Sequence, residues 1–198
     1  RKVLAQSSDK IELIHSNPRL NGWGNTVWDI ISFGKYQSVN ATEEIPIQWA
    51  VMERKGNEVL LLGFECPLSW ACTNSDSEVI WEQNSMRKWL NTDFYQKAFT
   101  KEEQQAILSS SVITNGKKTS DKVFIPSEEE MSNQSYGFLS DNDRLYMLAG
   151  KYMILRTQAD SGKRMKFIHL IDCGLGDGLG VIDQYGFSIA ETQMNDCY

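Results

Sequence analysis

Residues 47–64 read IQWAVMERKGNEVLLLGF and carry the clearest β pattern of the chain. Apolar and polar residues alternate near the start, as in a strand with one buried face. Residues 58–64 are mostly apolar, which indicates a more buried strand. Lys55-Gly56-Asn57 lies between the two patterns and is a turn signal. The stretch therefore predicts a β-hairpin.

Helix-start signals follow this hairpin. Asn84 or Ser85 can cap a helix that is expected to end near Asn91. Thr100 and Ser127 are each followed three residues later by Glu, which predicts a capping box at the start of two further helices. A last helix is expected to begin between Ser140 and Asp143 and to end before Gly150.

β patterns occur on both sides of these helices. Candidate strands cover residues 27–33, stopped by Gly34, a short stretch at 123–125, and residues 152–155 and 165–171. Residues 181–183 and 187–189 are expected to form a closing hairpin. Strands, then helices, then strands predict one α+β domain over residues 23–198, after a polar leader at 1–22. We expect the first and last strands to share a sheet.

Charge and hydropathy exclude two classes of partner. The 198 residues carry 20 Lys and Arg against 26 Asp and Glu, a net charge of −6. A chain this acidic, without a basic block, does not suit nucleic acid, whose binding depends on cations that neutralise phosphates. The longest apolar run, residues 59–64, is far shorter than the ~20 residues of a membrane-spanning helix. Residues 1–8 lack an apolar signal core, so we expect an export signal to have been removed.

The cysteines allow two interpretations. Candidate disulfide cysteines are Cys66, Cys72, Cys173 and Cys197. The first two could close a short loop and the last two could join C-terminal segments, whereas four reduced, partly buried thiols are the alternative. No C-x-x-C occurs, and His15 and His169 lie far apart, so a zinc site of ordinary ligand spacing is not expected.

Aromatic, amide and carboxylate side chains cluster between the hairpin and the first helix. This mixture suits sugar recognition, because an aromatic ring packs on C–H groups while polar groups bind hydroxyls. Acidic residues at 167–198, without Lys or Arg, allow a Ca²⁺ site, but solvated carboxylates are the better interpretation. The candidate ligand-binding residues are Trp70, Asp76, Glu78, Glu82, Asp177 and Asp183.

Other aromatic and histidine side chains are better interpreted as core residues than as site residues. Trp81 and Trp89 have the spacing of a buried helix face, for which core packing is the better interpretation. His169 lies in an apolar stretch, and no nucleophile motif occurs, so no catalytic residue is predicted. No cofactor is predicted, and Ca²⁺ is only allowed by the acidic residues at 167–198.

Several segments resemble one bacterial family. They are DIISFGKYQ at 29–37, PIQWAV at 46–51, WEQNSMRKWLN at 81–91 followed by FY at 94–95 and AF at 98–99, and DKVFIPS at 121–127. Together they resemble the domain of unknown function DUF6273, with Trp81, Arg87, Trp89, Asn91 and Arg156 as its structural signature. In the last third, YMILRT at 152–157 shares only Leu155-Arg156 with the family pattern, and the family's closing strand would start about where the sequence ends, at Cys197-Tyr198.

The resemblance implies a C-type-lectin-like fold, with a mixed antiparallel sheet, flanking helices and long loops. It implies that Arg87 and Arg156 organise the fold by hydrogen-bonding loop carbonyls. Members occur mainly in exported or cell-surface proteins of Gram-positive bacteria. The leading hypothesis is thus a non-catalytic extracellular module that binds carbohydrate or protein near residues 70–82 and 174–183. The alternatives are a copper-dependent oxidoreductase of the formylglycine-generating type, which needs paired cysteines, and a structural spacer domain.

Overall fold

The computed structural model describes residues 2–4, 16–37, 42–64, 80–148, 153–158 and 165–168. The strands are β1 (Lys2–Leu4), β2 (Arg19–Leu20), β3 (Thr26–Val27), β4 (Ile30–Tyr36), β5 (Ile45–Lys55), β6 (Glu58–Phe64), β7 (Ile107–Leu108), β8 (Ser110–Thr114), β9 (Lys117–Asp121), β10 (Met153–Gln158) and β11 (Met165–Ile168). The α-helices are α1 (Ser85–Trp89), α2 (Tyr95–Ala98), α3 (Lys101–Ala106), α4 (Glu128–Met131) and α5 (Asp141–Leu148). A π-helical turn, Leu90–Phe94, joins α1 to α2, and 3₁₀ turns cover Trp81–Gln83 and Gln134–Tyr136.

The strands form one larger sheet and three hairpin-like pairs. The larger sheet has the order β4-β5-β6-β1-β7, and every neighbouring pair in it is antiparallel. The pairs β2–β3, β8–β9 and β10–β11 form separate antiparallel sheets of two strands. The predicted α+β class and the hairpin formed by β5 and β6 are confirmed.

One expectation about the ends of the chain differs from the structure. β1 lies between β6 and β7, and β2 pairs with β3, so residues from the expected leader form strands and the boundary expected after residue 22 falls inside a hairpin. Among the described strands, β10 and β11 pair with each other and not with the larger sheet. The expected last strands, at 181–183 and 187–189, lie outside the described residues. Strands of two or three residues carry too few positions for a sequence period to be recognised.

The predicted helix starts are confirmed. Asn84 caps α1, and the capping boxes at Thr100 and Ser127 have both of their reciprocal hydrogen bonds. At the start of α5, the Ser140 N–H and hydroxyl both donate to Asp143 Oδ2, each at 2.7 Å. None of the helices in the described part of the chain is long and apolar enough to cross a bilayer.

The first helical segment does not end near Asn91, and the stretch 123–125 is not a strand. Both differences involve the Asn91 carboxamide. It donates to the carbonyls of Arg87 (2.9 Å) and Val123 (2.8 Å), and accepts from the N–H groups of Lys122 (2.7 Å) and Val123 (3.2 Å). One side chain thus supplies Lys122 and Val123 with hydrogen bonds that a neighbouring strand would otherwise supply.

The larger sheet is covered on both faces, because side chains alternate along β5. Ile47, Trp49 and Val51 lie in one core, cluster 1, and Ala50 and Met52 lie in a second, cluster 2. Cluster 1 also contains Val59, Leu61, Trp81, Leu90, Phe94, Ala98, Phe99, Ile107, Val112 and Val123. Cluster 2 also contains Trp28, Met131, Phe138, Met147, Leu148 and Leu155.

Gly34 does not end a strand, as the sequence suggested, but lies inside β4 at a shift in register between Ser32 and Lys35. Its φ of +73° is in the left-handed region, where glycine is favoured. A Cβ at this position would lie 2.2 Å from Cε1 of Phe99. The missing side chain therefore lets the Phe99 ring pack directly against the main chain of β4.

Candidate functional site

In the described part of the chain, a cleft of about 130 Å³ lies between the 3₁₀ turn Trp81–Gln83, the β8–β9 hairpin and the end of β10. Its lining residues are Ile80, Trp81, Glu82, Thr114, Asn115, Lys117, Thr119 and Gln158. Sites that enclose drug-sized ligands hold about 300–1,000 Å³, so this cleft matches one sugar ring or one polar side chain.

The turn of the β8–β9 hairpin forms one wall. Asn115 and Gly116 have positive φ values of 49° and 75°, as in a two-residue turn of type I′. The Asn115 Nδ2 donates to Gln158 Oε1 at 2.9 Å, which joins this turn to the end of β10. Two carboxamides therefore stand together at the rim of the cleft.

An ion pair crosses the cleft. Lys117 Nζ lies 3.5 Å from Glu82 Oε2, and both side chains are about half exposed. Exposed pairs of this kind contribute about 0–1 kcal/mol, because water screens them. A ligand can therefore replace this pair at low cost and use both charged groups as hydrogen-bond partners.

The floor of the cleft is held by a buried carboxylate. Asp121 is fully buried and accepts from Trp81 Nε1 (3.0 Å), Thr119 Oγ1 (2.6 Å) and Arg87 Nε (2.7 Å). Arg87 Nη1 also donates to the carbonyl of Glu82 at 3.1 Å. Trp81 and Thr119 line the cleft and donate to the same carboxylate, so this shared acceptor holds both side chains in place before a ligand binds.

A buried arginine, Arg156, supports the hairpin side of the cleft. Arg156 donates through Nε to Thr114 Oγ1 at 3.1 Å and through Nη1 to the Ile125 carbonyl at 2.7 Å. Its guanidinium binds both carboxylate oxygens of Glu130, at 2.6 and 2.7 Å. Arg87 and Arg156 thus each bind a main-chain carbonyl, and each is within two hydrogen bonds of a side chain that lines the cleft.

The structure describes one candidate ligand-binding residue, Glu82, and every residue of the structural signature. Glu82 lines the cleft, Trp81 forms its floor with 2% exposure, and Trp89 packs on Tyr36 and Phe94 beside cluster 1. Trp70, Asp76, Glu78, Asp177, Asp183 and the cysteines Cys66, Cys72, Cys173 and Cys197 lie outside the described residues. Within the described part of the chain, no group of three or more His, Cys, Asp or Glu side chains could hold a metal ion.

The sequence analysis missed Thr114, Asn115, Lys117, Thr119 and Gln158 as site residues. Asn-Gly between short alternating segments is the strongest short-range signal for a hairpin, so Asn115-Gly116 could have revealed β8 and β9. The position of Gln158 beside the β8–β9 turn depends on tertiary contacts, and no local sequence pattern predicts it.

Comparisons with known proteins give one match. A family model described as a domain of unknown function, DUF6273, matches residues 57–167, which is more than half of the chain. The matched range includes every residue that lines the cleft. It begins after the first two segments on which the resemblance rests and extends beyond residue 130. No curated protein and no solved structure matches the chain.

Proposed function

Because the chain belongs to the DUF6273 family, whose description states no activity, we propose its function from the cleft: a non-catalytic module that binds carbohydrate. The cleft would hold one sugar unit of a larger glycan, and the rest of the glycan would extend over the surface. The observation that carries this proposal is the composition of the cleft, in which polar side chains surround a floor fixed by Asp121.

The side chains at the rim fit the hydroxyls of a sugar. Asn115 and Gln158 provide carboxamides, which both donate and accept hydrogen bonds. Glu82 accepts and Lys117 donates, so vicinal hydroxyls can replace their ion pair with one bond to each group. The Trp81 side chain at the floor is already held in place, so binding does not have the entropy cost of ordering it.

The fold of the domain, its location and its extent are also part of this proposal. The antiparallel sheet with helices on both faces, and the carbonyl contacts of Arg87 and Arg156, support a C-type-lectin-like fold. We propose that the module is exported or at the cell surface, and that one domain covers residues 23–198 together with the strands that precede it.

The proposal is tested on an array of defined neutral and amino-sugar glycans, with the full chain in Ca²⁺ and in EDTA. We expect binding to a restricted set of glycans. Lys117→Ala should weaken the best-bound glycan about tenfold, because a hydrogen bond to a charged group is lost. Lys118→Ala, a neighbouring lysine outside the cleft lining, is the matched control and should bind like the original chain.

Two results would contradict the proposal. One is an array without binding in both buffers, and the other is binding that Lys117→Ala and Gln158→Ala leave unchanged. In the second case the glycan would bind elsewhere on the chain, and the cleft would have no part in recognition.

A further inference from the structure

A second feature stands apart from the cleft: an exposed tryptophan at the end of the β2–β3 hairpin. Trp23 lies in the loop 21–25, whose sequence is Asn-Gly-Trp-Gly-Asn, and 88% of its surface is exposed. Leaving an indole in water gives up the favourable burial of a large apolar surface. Large exposed apolar groups on a folded domain commonly mark a binding surface.

The loop is held by its own hydrogen bonds. Asn21 Oδ1 accepts from the N–H groups of Trp23 (2.9 Å) and Asn25 (3.0 Å). The main chain adds bonds from Asn21 N to Asn25 O (2.9 Å) and from Gly24 N to Asn21 O (3.0 Å). These bonds hold the main chain of the loop, including that of Trp23, in one shape.

The base of the hairpin is attached to the domain. Thr26 Oγ1 donates to the Gly137 carbonyl at 3.0 Å, and Trp28 Nε1 donates to the Tyr136 carbonyl at 2.8 Å. Trp28 is buried in cluster 2, whereas Trp81, the floor of the cleft, is buried in cluster 1. The hairpin and the cleft thus depend on different cores and can be tested separately.

The surroundings of Trp23 favour a flat, neutral ligand. A Cβ built on Gly22 or Gly24 would meet no atom within 4 Å, so both neighbours leave the approach to the indole open. Residues 20–25 carry no charge, and the nearby Arg19 is paired with Asp29 at 2.8 Å. A phosphate-rich surface, such as nucleic acid or an anionic membrane, therefore finds no uncommitted cation among these residues.

We propose that Trp23 is a second carbohydrate-binding site, on which the C–H face of a pyranose ring of a neutral glycan stacks. The Asn25 carboxamide, two residues further along the loop, is the hydrogen-bond partner for a hydroxyl at the ring edge. This site does not require the cleft to bind sugar. If both sites bind, one polysaccharide chain or two neighbouring chains can contact the domain twice, which raises the apparent affinity.

The test follows the indole N–H signals of the ¹⁵N-labelled full chain by NMR while cellohexaose, laminarihexaose or chitohexaose is added. The signal that disappears in Trp23→Phe is that of Trp23. We expect this signal to shift with at least one hexasaccharide, and the shift to persist in Lys117→Ala, which alters only the cleft.

Two variants of the same hairpin provide the controls. Trp23→Ala should weaken the binding measured at Asn25 about tenfold, because the stacking surface is lost. Leu20→Ala removes another exposed apolar side chain of the hairpin and should leave the affinity unchanged.

Three outcomes would overturn the proposal: a Trp23 signal that none of the three sugars moves, equal effects of Trp23→Ala and Leu20→Ala, or self-association that Trp23→Ala abolishes. The last would assign the indole to a contact between two copies of the chain. A shift of Trp23 without any response in the cleft would support this site while contradicting the proposed function of the cleft.

Discussion

Replacing Asp121 with Asn removes one charge beneath the cleft and leaves the volume of the side chain nearly unchanged. The carboxylate accepts hydrogen bonds from Trp81, Thr119 and Arg87. A carboxamide has one acceptor oxygen and an NH₂ group that only donates. Since the indole N–H and the guanidinium are donors only, the NH₂ group must face one of them, and a buried donor is left without an acceptor.

The size of the effect follows from burial. The side chain of Asp121 is 0% exposed and that of Arg87 is 26% exposed. Removing one partner from a buried ion pair costs about 3–5 kcal/mol. Arg87 keeps some contact with water and a second bond to the Glu82 carbonyl, so the cost should lie at the lower end of this range. We expect Asp121→Asn to lower the free energy of unfolding by about 3 kcal/mol, a large share of the about 5–15 kcal/mol typical of a domain.

Urea unfolding, followed by tryptophan fluorescence and circular dichroism, measures this change. Asp93→Asn makes the same chemical change at an exposed position and should alter the stability by no more than about 0.5 kcal/mol. A loss below about 1 kcal/mol in Asp121→Asn would refute the reasoning, because it would mean that the buried carboxylate bears no charge-assisted bonds.

A double variant separates the ion pair from the rest of the network. Arg87→Met combined with Asp121→Asn leaves no guanidinium without its carboxylate. The combined loss of stability should therefore be smaller than the sum of the two single losses, by about 1 kcal/mol or more. Strict additivity would show that Arg87 and Asp121 do not interact in solution.

Further predictions concern the backbone, the second arginine and pH. Gly34→Ala should cost about 3 kcal/mol in urea unfolding, because the new Cβ meets Phe99 at 2.2 Å and φ is +73°; Gly56→Ala, with φ of +58° and open space, should cost only about 1 kcal/mol, and equal losses would contradict the contact. Arg156→Lys should cost about 2 kcal/mol in thermal unfolding, because an ammonium cannot form the two parallel bonds to the carboxylate partner; an unchanged midpoint would contradict the role of the guanidinium. Burial, aided by neighbouring carboxylates, raises the pKa of Tyr136 above its ordinary value of 10.0, so the folded state favours the neutral phenol. Its stabilising contribution is complete below pH 10.0 and is lost as pH rises through the folded pKa, and Tyr136→Phe should therefore lose less stability than the original chain above pH 10.0; parallel losses would contradict this.

Local chemistry explains what could be predicted from the sequence. A capping box needs only a hydroxyl and a carboxylate three residues apart, and at Thr100 and Ser127 the whole motif is local. The β5–β6 hairpin is also local, because alternation and a Lys55-Gly56-Asn57 turn lie in one segment. The core position of Trp81 followed from helical spacing.

Features that depend on distant partners were not predictable in the same way. Asn91 lies inside a helical segment that continues, and its carboxamide binds residues 31 and 32 positions away. Gly34 lies inside a strand at a place where the Phe99 ring leaves no room for a side chain. Most of the cleft was missed since its walls come from three segments. The Asn115-Gly116 turn is the exception, because its signal was local and present.

The Asn91 carboxamide has a consequence for the kinetics of ligand binding. It ties the first helical segment to residues 122 and 123, and the Arg87–Asp121 pair ties the same two segments one turn earlier. A single attachment would let the segments pivot about one point, whereas two attachments remove that rotation. The entrance of the cleft should therefore not change between an open and a closed conformation. We expect association with a sugar to follow one exponential whose rate rises linearly with ligand concentration, without a slow isomerisation step.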